Sequence, residues 1–282
     1  MTSGPERVAA TLVAEAEATA DAADARAGIR TRPADPGELD GVLARFESTW
    51  GEGRGPDRSM IQALEHAGNT VLVAVEQPLR VEDAAQQPSR TPEPPVGATL
   101  GFLGWAGGLH LHSHMNAVDP TARGRGIGVA LKLRQRAGCL AHGITEVWWT
   151  YDPLIRRNAH VNLVRLGAEF VAFLPDFYGE LGDAITGADR SDRFEVRWRL
   201  DAPRTVRALA RGPVPTWRAE GGLALVADYE RVRAEDPDVA ARLRAASRDA
   251  FAALAEDSGL RAELDANGDY VFTRDDPDRE AP

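Results

Sequence analysis

The chain has 282 residues, 43% hydrophobic and 27% charged, enough for a sizeable core in one large domain or in one domain with a smaller companion. Forty-three acidic against 33 basic residues give a formal net charge of −10, which argues against a phosphate-tracking surface and so against a nucleic-acid partner. The single cysteine, Cys139, excludes an intrachain disulfide and a thiolate metal cluster; it reads as a packing residue and points to a reducing, cytoplasmic setting.

Met1-Thr-Ser-Gly-Pro-Glu-Arg lacks a basic leader, and acids at 15, 17, 21 and 24 break the alanine-rich stretch that follows, so neither a signal peptide nor a membrane span is expected. Residues 8–26 have strong helix propensity but few large apolar side chains, which predicts an appended, loosely held N-terminal helix over 1–27. Ile29-Arg-Thr-Arg-Pro33 reads as a short strand. Leu39, Val42, Leu43, Phe46 and Trp50 follow at helical spacing, and Asp57 caps a second helix through Met60, Ile61 and Leu64 that ends near Gly68. Thr70–Val75 is a buried strand, and the proline-rich 77–96 is expected to be an exposed, mobile loop.

Strand signals resume over 96–105, turn at Gly107-Gly108 and continue through Leu109–Val118, a hairpin that feeds into the glycine run Arg123-Gly-Arg-Gly-Ile-Gly128. A helix from Val129 to about Gly143, a strand at Glu146–Tyr151, a helix from about Arg156 to Leu166 and a strand at Glu169–Leu174 come next. A long loop, 174–193, precedes the alternating strand Phe194–Leu200. Its Phe177, Tyr178, Asp176, Asp183, Asp189 and Asp192 make it either a binding wall whose acids would pair an ammonium group or a solvated loop. Beyond Pro203 the pattern restarts as a β-α-β-β extension: a strand at Leu223–Ala227, a helix over 236–255, and short strands near 261–264 and 270–273, before a charged, frayed tail over 275–282.

The glycine run lies between a strand end and a helix start, where unpaired N–H groups and the helix dipole favour an anion and glycines let phosphates approach the backbone. It lacks the Gly-Lys-Ser/Thr of a P-loop, and its place in the chain does not suit a dinucleotide fingerprint. It does match Gln/Arg-x-x-Gly-x-Gly/Ala at Arg123, Gly126 and Gly128. With Ala117-Val-Asp-Pro120 leading in, the helix Arg157-Asn-Ala-His-Val-Asn-Leu following the next strand, and the Leu166-Gly-Ala168 close, residues 28–202 resemble the GNAT acyltransferase superfamily.

That resemblance implies an α/β (α+β) fold in which helices flank a mixed central β-sheet with a splayed strand. It implies acetyl-CoA, or another short acyl-CoA, as cosubstrate and no metal. The backbone N–H groups of Gly124, Arg125, Gly126, Ile127 and Gly128 would hold the pyrophosphate beside Arg123, Ala117 and Val118 would line the donor, and Asn158 would face the pantetheine arm. The activity implied is N-acetyltransfer, by direct transfer in a ternary complex, to the primary amine of a small metabolite.

On an extended strand, residues two apart share a face, so His110, His112, His114 and Asn116 are expected to point together. Three zinc ligands so spaced would span about 13 Å, too far for one ion. Amide formation needs an amine stripped of its proton, and a neutral imidazole suits that task. By the family's base positions His112 and His114 are the candidates, similar to the histidine pair of serotonin N-acetyltransferase, with His110 a bystander; Asn116 stands where that relative is apolar. The strand-end splay would free the N–H of Val118 as oxyanion donor. Where many family members carry a proton-donating tyrosine this chain has Leu163, so Tyr151 and Tyr178 are substitutes by location, with protonation of the thiolate through water as the alternative. The missing tyrosine keeps a non-catalytic acyl-CoA-binding or regulatory module as an alternative. A donor bound to tRNA or a carrier protein is another, though the negative charge speaks against tRNA. A homodimer is left open.

Overall fold

A computed structural model describes residues 8–77, 94–257, 259–276 and 278. Expectations for the leader, for most of the 77–96 loop and for the end of the tail therefore lie outside the described residues. The chain divides into two compact units, Met1–Val147 and Trp148–Pro282, a boundary that falls within one strand of the segment 28–202.

The first unit contains α1 (Ala10–Ala27), β1 (Ile29–Pro33), α2 (Leu39–Trp50), α3 (Arg58–His66), β2 (Thr70–Glu76), β3 (Gly97–Gly104), β4 (His110–Val118) and α4 (Ile127–Ala141), matching the expected series closely. Strands β1 to β4 lie side by side in chain order and pair antiparallel, with Thr31 opposite Ala74, Leu72 opposite Thr99 and Ala98 opposite Ala117. On one face Leu39, Val42 and Phe46 of α2 and Ile61 of α3 pack with Val71, Val73, Leu100, Met115 and Ala117. The Asp57 carboxylate accepts the Ser59 and Met60 N–H groups, as a cap should. The opposite face carries α4, which comes close enough that a Cβ on Gly97 would lie 2.9 Å from the Ile127 side chain.

Helix α1 is not loosely held, contrary to the expectation from its lack of large side chains. Ala16, Ala20, Ala23 and Ala27 form a buried stripe, and small residues let α1 lie close along α4. Arg134 of α4 then reaches Glu17 and Asp21 at 2.5 Å and Asp24 at 3.2 Å, while buried Asp24 accepts the Thr31 N–H and hydroxyl at 2.8 Å. Charge-assisted bonds thus supply the grip that alanine methyls do not.

The boundary strand is β5 (Glu146–Tyr151). The second unit continues with α5 (Arg156–Ala159, running on as a π-helical turn to Arg165), β6 (Glu169–Leu174), β7 (Arg193–Arg199), α6 (Pro203–Leu209), β8 (Gly221–Leu223), α7 (Tyr229–Glu235), α8 (Pro237–Glu256), β9 (Arg261–Leu264) and β10 (Tyr270–Thr273). Strand order is β5-β7-β6, with a separate three-stranded sheet β8-β10-β9. The core centres on Phe194, whose ring lies 4.7 Å from Phe170, 4.6 Å from Phe251 and 5.2 Å from Tyr270. The expected β-α-β-β extension is corrected in three places, the first being that it opens on helix α6 rather than on a strand. Its first strand forms at 221–223 rather than 223–227, and α7, with only seven residues and hence less than two full apolar repeats, precedes the long helix.

Candidate active site on β4 and the glycine loop

Register decides the site. Gly101 pairs with Ser113 and Leu100 with Met115, so a β-bulge at His114 puts one extra residue into β4. Before it, Ser113 faces α4, where its Oγ accepts the Lys132 Nζ–H at 2.7 Å. After it, Met115 and Ala117 join the opposite core, and Asn116 turns to α4, its Nδ2 donating to the Gly128 carbonyl at 3.1 Å. The expectation that Asn116 shares the histidines' face is therefore overturned: strict alternation counts one residue too few across a bulge.

His112 and His114 do stay together. Both rings lie against Phe102, at 5.3 and 5.8 Å, with 6.1 Å between the two centroids. Burial, reinforced by His114, His110 and Lys132, pulls His112 from the ordinary 6.5 down to about 4, and loss of water lowers the more exposed His114 as well. At neutral pH His112 is thus an unprotonated base. An NMR titration should show its ring signals moving with a midpoint near 4; a midpoint near 6.5 would refute the assignment. His110 is buried, and its Nδ1–H donates to the Gly108 carbonyl at 2.8 Å, which braces the hairpin turn.

At the other end of β4, Asp119 N–H donates to Val96 at 2.8 Å. Antiparallel alternation therefore turns the neighbouring Val118 N–H away from β3. Asp119, which also takes the Thr121 N–H, leads through a short turn to Arg123. Gly124 and Gly126 adopt φ +83° and +90°, left-handed conformations that a side chain strains, and nothing lies within 4 Å of where their Cβ atoms would be. Gly126 is the N-cap of α4 and makes no side-chain cap bond, so the first-turn N–H groups open toward that space. Beside it the buried Asn116 Oδ1 has no hydrogen-bond partner.

The remaining candidates belong to the second unit. Tyr151 is corrected as a proton donor: it is buried, its hydroxyl lies 3.1 Å from that of Tyr270, which donates to the Pro153 carbonyl, and burial pushes its pKa up. Tyr178 is exposed, with its hydroxyl 3.2 Å from Thr150 Oγ1 and the Arg193 guanidinium 5.4 Å above the ring. Asn158 lies half-buried on α5, and Leu163 is a buried core residue.

The loop acids are already committed. Asp176 pairs with Arg190 and Arg248, Asp189 with Arg244, Asp192 with Arg248, and Asp183 accepts the N–H groups of Ile185 and Thr186. They do not form the expected ammonium-binding wall, because arginines on α8, far away in sequence, claim three of the four. Among the described residues no group of three or more His, Cys, Asp or Glu is placed to hold a metal ion, and no helix is long and apolar enough to cross a membrane.

No family model matches the chain. No curated protein matches it by sequence. Solved structures similar to it include the Escherichia coli ribosomal-protein-S18-alanine N-acetyltransferase (12% identity, 61% of this chain and 94% of that one, TM-score 0.44). Another is Arabidopsis thaliana Naa50 with the bisubstrate analogue CoA-Ac-MVNAL (16%, 60% and 97%, 0.44). A third is an N-acetyltransferase from Staphylococcus aureus Mu50 (13%, 61% and 99%, 0.44). At these identities and scores the likeness carries no function across.

Proposed function

We propose that the chain is an acyl-CoA-dependent N-acyltransferase of the GNAT superfamily, with acetyl-CoA as donor and the primary amine of a small metabolite as acceptor. One observation carries this reading: a single strand bears two adjoining histidines, of which His112 is neutral at ordinary pH, and leads into an uncapped, glycine-opened helix N-terminus. The open space before Gly124 and Gly126 and the orphaned Asn116 Oδ1 fit a pyrophosphate followed by an amide-bearing arm.

Bound there, the donor would supply an activated acyl thioester; binding and proton handling fall to the chain. The N–H groups of Gly124 through Gly128 and the α4 dipole would hold the phosphates, with Arg123 beside them. Asn116 Oδ1 would accept an amide hydrogen of the donor, and the Val118 N–H, turned from the β3 ladder, would donate to its acyl carbonyl. Neutral His112, with His114 beside it, would take the proton that the amine nitrogen loses on attack, and the departing thiolate would take one from water.

The purified chain, given acetyl-CoA and a panel of small amines and amino-terminal peptides, should release free thiol in an amine-dependent way. The expected rate is about ten-fold or more above the amine-free background. Buried Leu163 in place of a tyrosine favours the second reading, a non-catalytic acyl-CoA-binding module. Tight CoA binding with no amine-dependent thiol release would establish that module instead.

A further inference from the structure

Arg125 occupies the middle of the glycine run, yet its guanidinium is engaged with two other elements. Its Nη1 and Nη2 donate to the two carboxylate oxygens of Glu76, at the end of β2, at 2.6 and 2.8 Å. Nη2 and Nε donate to the carbonyl of Ala27, the last residue of α1, at 2.7 and 3.2 Å. That carbonyl is one of those a helix C-terminus leaves without an intrahelical partner, and the negative end of the α1 dipole lies there. Gly28, at φ +67°, turns the chain under the guanidinium, and a Cβ on it would lie 3.5 Å from Nη2.

The pair is partly exposed, 36% at Arg125 and 45% at Glu76, so its contribution to global stability is small. Its geometry matters more than its energy. The residues on either side of Arg125 are glycines at positive φ, the least constrained positions a backbone has. Between two such hinges, a side chain anchored at two distant points limits where the Arg125 peptide can go. A loop that must converge several N–H groups on one anion loses affinity when it has to be ordered during binding.

We propose that Arg125 is a positioning residue of the donor loop: by bridging Glu76 and the C-terminus of α1 it sets the loop before the donor arrives. The N-terminal helix thereby becomes part of the donor-binding machinery. The inference rests on the function proposed above for the use of the loop, though not for its ordering.

The test uses the full chain with Arg125→Ala, which keeps the loop N–H, and Glu76→Gln, which leaves the arginine in place but removes its charged partner. Amide hydrogen exchange at residues 124–128 without ligand, and CoA affinity by calorimetry, are measured on both variants and the parent. Both variants should speed loop exchange, and both should weaken CoA binding by about ten-fold, the loss expected from unpaid loop ordering. Unchanged exchange in both would overturn the proposal. Weaker binding in Arg125→Ala alone, with Glu76→Gln like the parent, would also overturn it, since Arg125 would then touch the phosphates itself. A parent chain that binds no CoA would instead remove the functional reading, and the exchange data alone would decide the positioning role.

Discussion

Replacing His112 and His114 together by glutamine should lower turnover by about 10²- to 10⁴-fold, the usual contribution of general-base catalysis, while CoA affinity stays within about two-fold. Glutamine removes the basic nitrogens but fills much of the imidazole volume, which matters because both rings pack on Phe102. The donor loop lies beyond Val118 at the other end of β4, so its N–H groups are untouched. The sign of the pH dependence follows from the lowered value at His112: the neutral form is the base, and activity attributable to it is lost only as pH falls toward about 4. Steady-state turnover and CoA titrations of both single variants and the double variant provide the check. Turnover in the double variant equal to that of the parent would end the base assignment.

Arg244→Ala should destabilise the protein by about 3–5 kcal/mol, because it removes the main partner of two largely buried carboxylates and leaves them the more distant Arg233, at 3.4 and 3.9 Å, as a cation. Arg244 is 2% exposed and donates to both Asp152 oxygens, at 2.8 and 2.7 Å, and to Asp189 at 2.8 Å, with its guanidinium 5.0 Å above the Tyr229 ring. Burial alone would raise the Asp189 carboxyl; the bonds and charge of Arg244 more than offset this and hold it below the ordinary range. A carboxyl lowered on folding contributes stability above its unfolded value and loses it as pH falls through the folded one. The penalty of the variant should therefore shrink in mild acid. Urea unfolding at neutral and acidic pH measures both effects, and a neutral-pH loss below about 1 kcal/mol would show the network to be dispensable.

This network also explains why the role of the loop 174–193 was illegible in the sequence. Asp176, Asp189 and Asp192 in a long loop look available, and nothing local marks Arg244 and Arg248, more than 50 positions downstream, as their partners. Tyr151 failed for a related reason. Its hydroxyl meets that of Tyr270 only because the terminal sheet folds over the Phe194 core, and burial depends on what covers a residue, not on its neighbours in the chain. Lys132, an ordinary charge in an otherwise apolar helix pattern, is buried at 6% exposure against Ser113, and burial brings it down to about 7.

Local information sufficed where one element carries its own signal. Short apolar runs bounded by turn residues placed β1 through β4, and Asp57 announced the helix it caps. The glycine run declared a loop whose backbone a ligand can approach ahead of α4, and its Gly124 and Gly126 take positive φ values that favour glycine. Tertiary structure alone decided three things. The register between β3 and β4 created the bulge that separates Asn116 from the histidines, the alanine face of α1 became a seat for α4 once Arg134 found its acids, and Arg125 turned to α1 and Glu76. Each joins groups far apart in sequence, and such pairings exist only when folding brings the two partners to one place.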